Sequence, residues 1–132
     1  MKSLTVDPNG YRPSDTIERL HRTIDSGGYG QNYMILPREK NEYLMEKYVI
    51  SEQERVNILR SLEEENYLGW ELSEDSKHPK DVVHFFRKDI PLFQKGIEES
   101  PYHTVELYIK LTWRYPDYLL IIISFHEANQ YE

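Results

Sequence analysis

No cysteine occurs in the 132 residues, which excludes disulfides and any thiolate metal centre. Long apolar runs are also missing. The longest, Leu119–Ile123, falls far short of the roughly 20 residues that span a bilayer, and no N-terminal apolar stretch resembles a signal peptide. A cytoplasmic protein without membrane contact is expected. Positive charge is the scarcer sign: 16 Lys and Arg stand against 23 Asp and Glu, giving a net charge of −7. The overall field therefore repels nucleic acid, and only a local basic patch would bind it. Gly27-Gly28-Tyr29-Gly30 lacks both the preceding strand and the Lys-Ser/Thr sequel of a phosphate loop. There is no Gly-x-Ser-x-Gly elbow. No two of the five histidines lie four apart on one helix face, so neither a metal nor a cofactor is expected.

What is present supports one packed core. Hydrophobic residues make up 39% and aromatics 13%, including 11 tyrosines, and the length fits one domain over residues 1–132. Residues 1–13, with Pro8, Gly10 and Pro13, read as an irregular arm. Ser14 or Asp15 caps a first helix carrying Ile17, Leu20 and Ile24, which Gly27-Gly28 ends. Tyr29 to Ile35 reads equally as extended chain or loop. Pro37 opens a second helix bearing Tyr43, Leu44 and Tyr48. Ser51-x-x-Glu54 is a capping box for a third, with Val56, Leu59 and Leu62 inside. The short link between these two helices predicts an antiparallel pair. Glu63 to Leu72 reads as a helix end and loop, with Tyr67 and Trp70 covering the core, and Ser73–Lys80 as a polar loop. Val82–Arg87 is a strand with Val83 and Phe85 on one face and His84 and Phe86 on the other. Asp89 to Tyr102, holding Pro91 and Pro101, reads as a connection anchored by Phe93 and Ile97.

The last thirty residues carry the clearest pattern. Val105, Leu107, Ile109, Leu111 and Trp113 alternate strictly with Glu106, Tyr108, Lys110, Thr112 and Arg114, which defines a half-buried strand. Leu119–Ile123 does not alternate, so both its faces are buried and it lies inside the sheet. Pro116-Asp117 supplies the turn. Pairing Arg114 with Tyr118 sets Thr112 opposite Leu120, Lys110 opposite Ile122, Tyr108 opposite Ser124 and Glu106 opposite His126. One face then gathers Glu106, Tyr108, Lys110, Ser124 and His126. A phenol, an amine, an imidazole and a carboxylate there are the groups acid–base chemistry uses. An ordinary solvated sheet face has the same composition. The architecture is α+β: N-terminal helices on a small, mostly antiparallel sheet ending in a C-terminal hairpin.

Four segments together carry a resemblance: Ile58-Leu-Arg-Ser-Leu-Glu-Glu-Glu-Asn-Tyr67, Asp81-Val-Val-His-Phe-Phe-Arg-Lys88, Leu107-Tyr-Ile-Lys-Leu111 and Leu120-Ile-Ile-Ile-Ser-Phe-His-Glu-Ala128. Their order resembles the MqsR-type toxins of bacterial toxin–antitoxin modules, within the RelE/ParE-like superfamily, over about residues 37–128. The resemblance implies a RelE-like fold and a metal-independent mRNA endoribonuclease. It also implies a cognate antitoxin as partner and mRNA or the ribosome as target. It places catalysis on Tyr108, Lys110 and His126, with Lys110 holding phosphate charge and Tyr108 or His126 moving protons. His84, Arg87 and Arg114 are the expected substrate-binding residues. Two features favour a different class, a non-catalytic protein-binding or inhibitory module of phage or mobile-element origin. They are the net negative charge and the Leu68-Gly69 sequel to Tyr67, where such toxins carry a lysine.

Overall fold

The computed structural model describes residues 2–27, 32–96 and 102–128. Helix α1 (Pro13–Asp25) starts earlier than either predicted cap. Pro13 takes the first helical position, where a missing N–H leaves nothing unpaired. The Asp15 carboxylate reaches back to accept from the Arg12 N–H at 2.9 Å. Ile17, Leu20 and Ile24 point into the core, and the helix ends at Ser26. Gly28 of the predicted stop lies outside the described residues.

Strand β1 (Tyr33–Ile35) makes the end of the ambiguous segment extended chain; its residues 29–31 lie outside the described residues. Helices α2 (Glu39–Lys47) and α3 (Glu52–Arg60) follow. Ser51 caps α3 as predicted, its Oγ accepting from the Glu54 N–H at 3.1 Å, but the Glu54 carboxylate lies 3.3 Å from that hydroxyl rather than closing the box on the Ser51 N–H. The two helices are not an antiparallel pair, however: α3 packs on α1 and α2 on the last strand. Their link is itself extended and pinned elsewhere. Tyr48 bridges to Gln94, and the Val49 N–H donates to the Phe93 carbonyl at 2.8 Å.

Tyr67–Leu72 is a strand, β2, rather than the predicted loop. Its bulge at Leu68 and the positive φ of Gly69 (121°) hide the alternation. The N-terminal arm runs against its outer edge. Ser3 and Trp70 exchange backbone hydrogen bonds of 2.8 Å in both directions. A Cβ on Gly69 would stand 2.5 Å from the Ser3 carbonyl oxygen, so glycine is required by that close approach. Strand β3 (Val82–Leu92) outruns its predicted end and includes Pro91. Beyond Phe86 it has β4 as its only strand partner among the described residues, so the missing N–H breaks no ladder. Phe93 is exposed and stacks on Tyr102 at 3.9 Å between ring centroids. Ile97 and Pro101 lie outside the described residues.

Strands β4 (His103–Arg114) and β5 (Leu119–Glu127) complete a five-stranded mixed sheet of order β1-β5-β4-β3-β2. Only the β1–β5 pair in it is parallel. The architecture is α+β, with three α-helices among the described residues. One face of the sheet carries Phe86, Leu107, Ile109, Leu111, Ile122 and Phe125 into a cluster with the inner stripes of α1 and α3. β5 is buried on both faces, as Leu120, Ile121 and Ile122 require. No helix of the described residues is long and apolar enough to cross a membrane.

A polar chain is built into the core side. The phenol of Tyr67 lies 2.8 Å from Nδ1 of His84, and Asp7 Oδ2 lies 4.0 Å from its Nε2. Asp7 Oδ1 accepts from the backbone N–H groups of Asn9 and Tyr11, which ties this chain to the arm. Burial, seconded by the Arg19 charge, pushes His84 down to about 3. Native His84 is therefore neutral, whereas the unfolded chain protonates it below about 6.5. The unfolded state then binds the extra proton, so stability is lost as pH falls from about 6.5 towards 3. The maximum slope is about 1.4 kcal/mol per pH unit from this group. Urea unfolding at pH 7 and pH 5 should show the loss in wild type and a smaller one in His84→Gln. Parallel losses in both proteins would show that His84 does not carry it.

Candidate functional site

The second face of the sheet is partly open, with Arg87, Tyr108 and Lys110 half-buried and Phe85, Ser124 and His126 buried, and the register arranges it in two rungs. Phe85, Lys110 and Ser124 are direct partners across β3, β4 and β5. The next rung consists of Arg87, Tyr108 and His126. Rungs two residues apart stand about 7 Å from each other along the strands. The predicted face is therefore the right one, but the register within it differs. Tyr108 pairs with His126 and Lys110 with Ser124, while nearer the turn Thr112 pairs with Ile121 and Arg114 with Leu119. Two local features cause the difference. Tyr118 takes a left-handed conformation (φ 55°) and belongs to the turn instead of pairing. A bulge in β5 then absorbs one residue, Ile123, opposite Lys110 and Leu111.

The bulge is held from α2. Pairing with β1 ends at Ile122. Past it, the Asn41 side chain takes a strand's place, accepting from the Phe125 N–H at 2.7 Å and donating to the Ile123 carbonyl at 3.0 Å. Arg38, the residue before α2, donates from Nη1 to the same carbonyl and to Ser124 Oγ, both at 3.2 Å. That brings a guanidinium to the end of the Lys110 rung. At the other end the arm lays Lys2 Nζ over the Phe85 ring, 4.6 Å from its centroid, and Lys110 Nζ lies 5.6 Å from the same centroid. Lys2, Lys110 and Arg38 have no carboxylate within ion-pair distance among the described residues. A cleft of about 250 Å³ adjoins Lys110, lined by Val83, Phe85 and Ile123 and by the acidic Glu71, Glu74 and Asp75.

The electrostatics follow from this crowding. Burial, then the Arg38 charge, lowers the Lys110 pKa. His126 is 5% exposed, and burial lowers its pKa, helped by Lys40 and Arg38 against the backbone bond to Glu127. Its Nδ1 lies 2.9 Å from the Glu127 carbonyl. A carbonyl only accepts, so Nδ1 carries the proton and Nε2 is the basic nitrogen. Tyr108 is half-buried with its ring 5.4 Å from that of His126. Burial, then Glu71, raises its pKa, so the phenol keeps its proton.

The three predicted catalytic residues thus lie together on two adjacent rungs. The predicted substrate-binding residues divide. Arg87 shares the Tyr108 rung and pairs with Glu106 at 3.4 Å. Arg114 stands at the far end of the cleft, 3.2 Å from Asp81. His84 faces away, buried on the core side against Tyr67 and Trp113. Sequence reasoning missed Lys2, Arg38, Lys40 and Asn41, because nothing local marks a residue that acts across the fold. Comparison with protein-family models, with curated proteins and with solved structures finds no match.

Replacing Asn41 by Leu leaves the buried Phe125 N–H without its acceptor and removes one donor from the Ile123 carbonyl. A cost of about 1–3 kcal/mol is expected for the orphaned N–H. Denaturant unfolding reads it directly, and an unchanged midpoint would show that the bulge holds itself.

Proposed function

We propose that the protein is a RelE-like, metal-independent endoribonuclease of a toxin–antitoxin module, working in the cytoplasm with mRNA as substrate and a protein antitoxin as its neutraliser. The observation that carries the proposal is the placement of Lys110 and Arg38, neither held in an ion pair among the described residues, beside the Tyr108–His126 pair on one face of the sheet. RNA carries its own nucleophile, the ribose 2′-hydroxyl. Cleavage needs a proton acceptor for that hydroxyl, cations for the charge that develops on phosphorus, and a proton for the departing 5′-oxygen. Lys110 and Arg38 stabilise the charged phosphorane. The 2′-hydroxyl yields its proton to the Tyr108–His126 pair, in which Tyr108 is the more exposed member and the neutral imidazole the base behind it. The O2′–P bond forms, the P–O5′ bond breaks, and the pair returns the proton to O5′. A 2′,3′-cyclic phosphate and a 5′-hydroxyl end remain.

Cleavage of a fluorogenic RNA strand tests this. Lys110→Ala should lower kcat by about 10²–10³, and Tyr108→Phe and His126→Ala by about 10²–10⁴ each. Because the pair acts as a unit, the double variant should be little worse than the worse single one. The rate should rise with pH through an inflection below 6.5, since His126 titrates low. In cells, induced wild type should arrest growth and deplete mRNA, and the Tyr108→Phe/Lys110→Ala/His126→Ala protein should not. Full activity in that triple variant would overturn the assignment.

The second reading, a protein-binding module, draws on the exposed acids Glu52, Glu54, Glu63, Glu64 and Glu65 around α3. An acidic surface of this kind meets basic partners. Normal growth and intact RNA with abundant, folded wild type would favour it.

A further inference from the structure

We infer that the N-terminal arm is part of the nucleic-acid surface, and that Lys2, Lys110 and Arg38 form a track along which a single strand crosses the sheet perpendicular to its β-strands. The inference rests on the ribonuclease reading for the identity of the ligand, and on geometry for the track. Phe85, Lys110 and Ser124 are consecutive partners on one rung. Lys2 sits over the first of them and Arg38 is bonded to the last. Neighbouring strands lie about 4.8 Å apart, so the three cations span roughly two strand spacings, more than one phosphate fills. Among the described residues none of the three is in an ion pair, and although Glu71 and Glu74 line the cleft beside Lys110, like charges held this close repel one another and a polyanion relieves that repulsion.

The arm reaches this position by construction. Ser3 is locked to Trp70 by two backbone bonds, the Trp70 indole N–H donates to the Thr5 carbonyl at 3.0 Å, and Gly69 leaves room for the Ser3 carbonyl. Asp7 fixes the following turn through the Asn9 and Tyr11 N–H groups. Residue 2 is therefore delivered to the Lys110 rung by contacts that do not involve the reacting groups.

The ligand class is a single-stranded polynucleotide, recognised through its phosphates. Binding to such a strand weakens with salt by about 0.7 in log–log slope for each phosphate neutralised. The probe is a fluorescein-labelled, cleavage-resistant 2′-O-methyl oligouridylate, followed by anisotropy from low to physiological salt. Lys2→Ala, Lys110→Ala and Arg38→Ala should each reduce the slope by about 0.7 and weaken binding about fivefold at 0.1 M salt. Lys2→Arg should restore both. Gly69→Ala, which displaces the arm, should reproduce Lys2→Ala. Wild-type slope and affinity in Lys2→Ala would overturn the track even where RNA cleavage is found. Equal displacement of the probe by polyglutamate would also overturn it, assigning the row to an acidic protein. Slope losses as predicted in a protein that cleaves no RNA would uphold the track while removing the nuclease.

Discussion

The open face depends on one side chain's hydrogen bonds. Strand β1 covers the edge of β5 only as far as Ile122. Past it the Phe125 N–H is buried, where an unpaired donor costs about 1–3 kcal/mol, and the Ile123 carbonyl is part-buried. Asn41 presents an acceptor and a donor in the places a neighbouring strand would use. This allows β5 to take up an extra residue at Ile123 and still remain bonded. The bulge changes the parity of the strand. Leu120 and Ile122 point into the core before it, and Phe125 points into the core after it. Had the pairing of the turn end continued, Phe125 would lie on the open face opposite Tyr108, and Ser124 and His126 would turn towards the apolar core. Burying a hydroxyl and an imidazole there without partners is unfavourable. Core packing and the site therefore demand the same irregularity.

How far the chain disclosed this can be argued residue by residue. The alternation of β4 was legible because each of its faces has one environment throughout. The face shared by Glu106, Tyr108, Lys110, Ser124 and His126 was legible too, although the pairing within it was two positions off. A shift of two residues preserves the face and a shift of one does not, so membership survives an error that neighbour assignments do not. The bulge left no sign, because Leu119–Ile123 is apolar on both faces and carries no alternation for a skipped residue to interrupt. β2 was illegible for a related reason: its pattern is broken at Leu68-Gly69 by a close approach of the arm, a contact between segments more than sixty residues apart. Arg38 and Asn41 act on β5 from more than eighty residues away. Their local sequence, at the start of a helix, gives no hint of it.

The acidity of the chain and the cationic rung are compatible once distance is considered. Glu52, Glu54, Glu63, Glu64 and Glu65 belong to α3 and the turn after it, and α3 buries Ile58 and Leu59 against the core face of the sheet. Those carboxylates lie beyond the sheet from the open face. A layer of helix on sheet is about 10 Å thick, whereas the Debye length at physiological salt is about 8 Å. Their field is largely screened at the rung. Local pairing matters more. Glu106 neutralises Arg87 and Asp81 neutralises Arg114, which removes two of the cations that composition alone would assign to this face. Glu71 raises the Tyr108 pKa, and Glu74 and then Glu71 oppose the lowering of Lys110. What survives is a single row of cations at the register of Lys110, with a neutral phenol and a neutral imidazole on the adjacent rung. A net charge summed over the whole chain hides that row, because it does not show that Lys2, Lys110 and Arg38 stay out of ion pairs among the described residues although Glu71, Glu74 and Asp75 line the cleft beside Lys110.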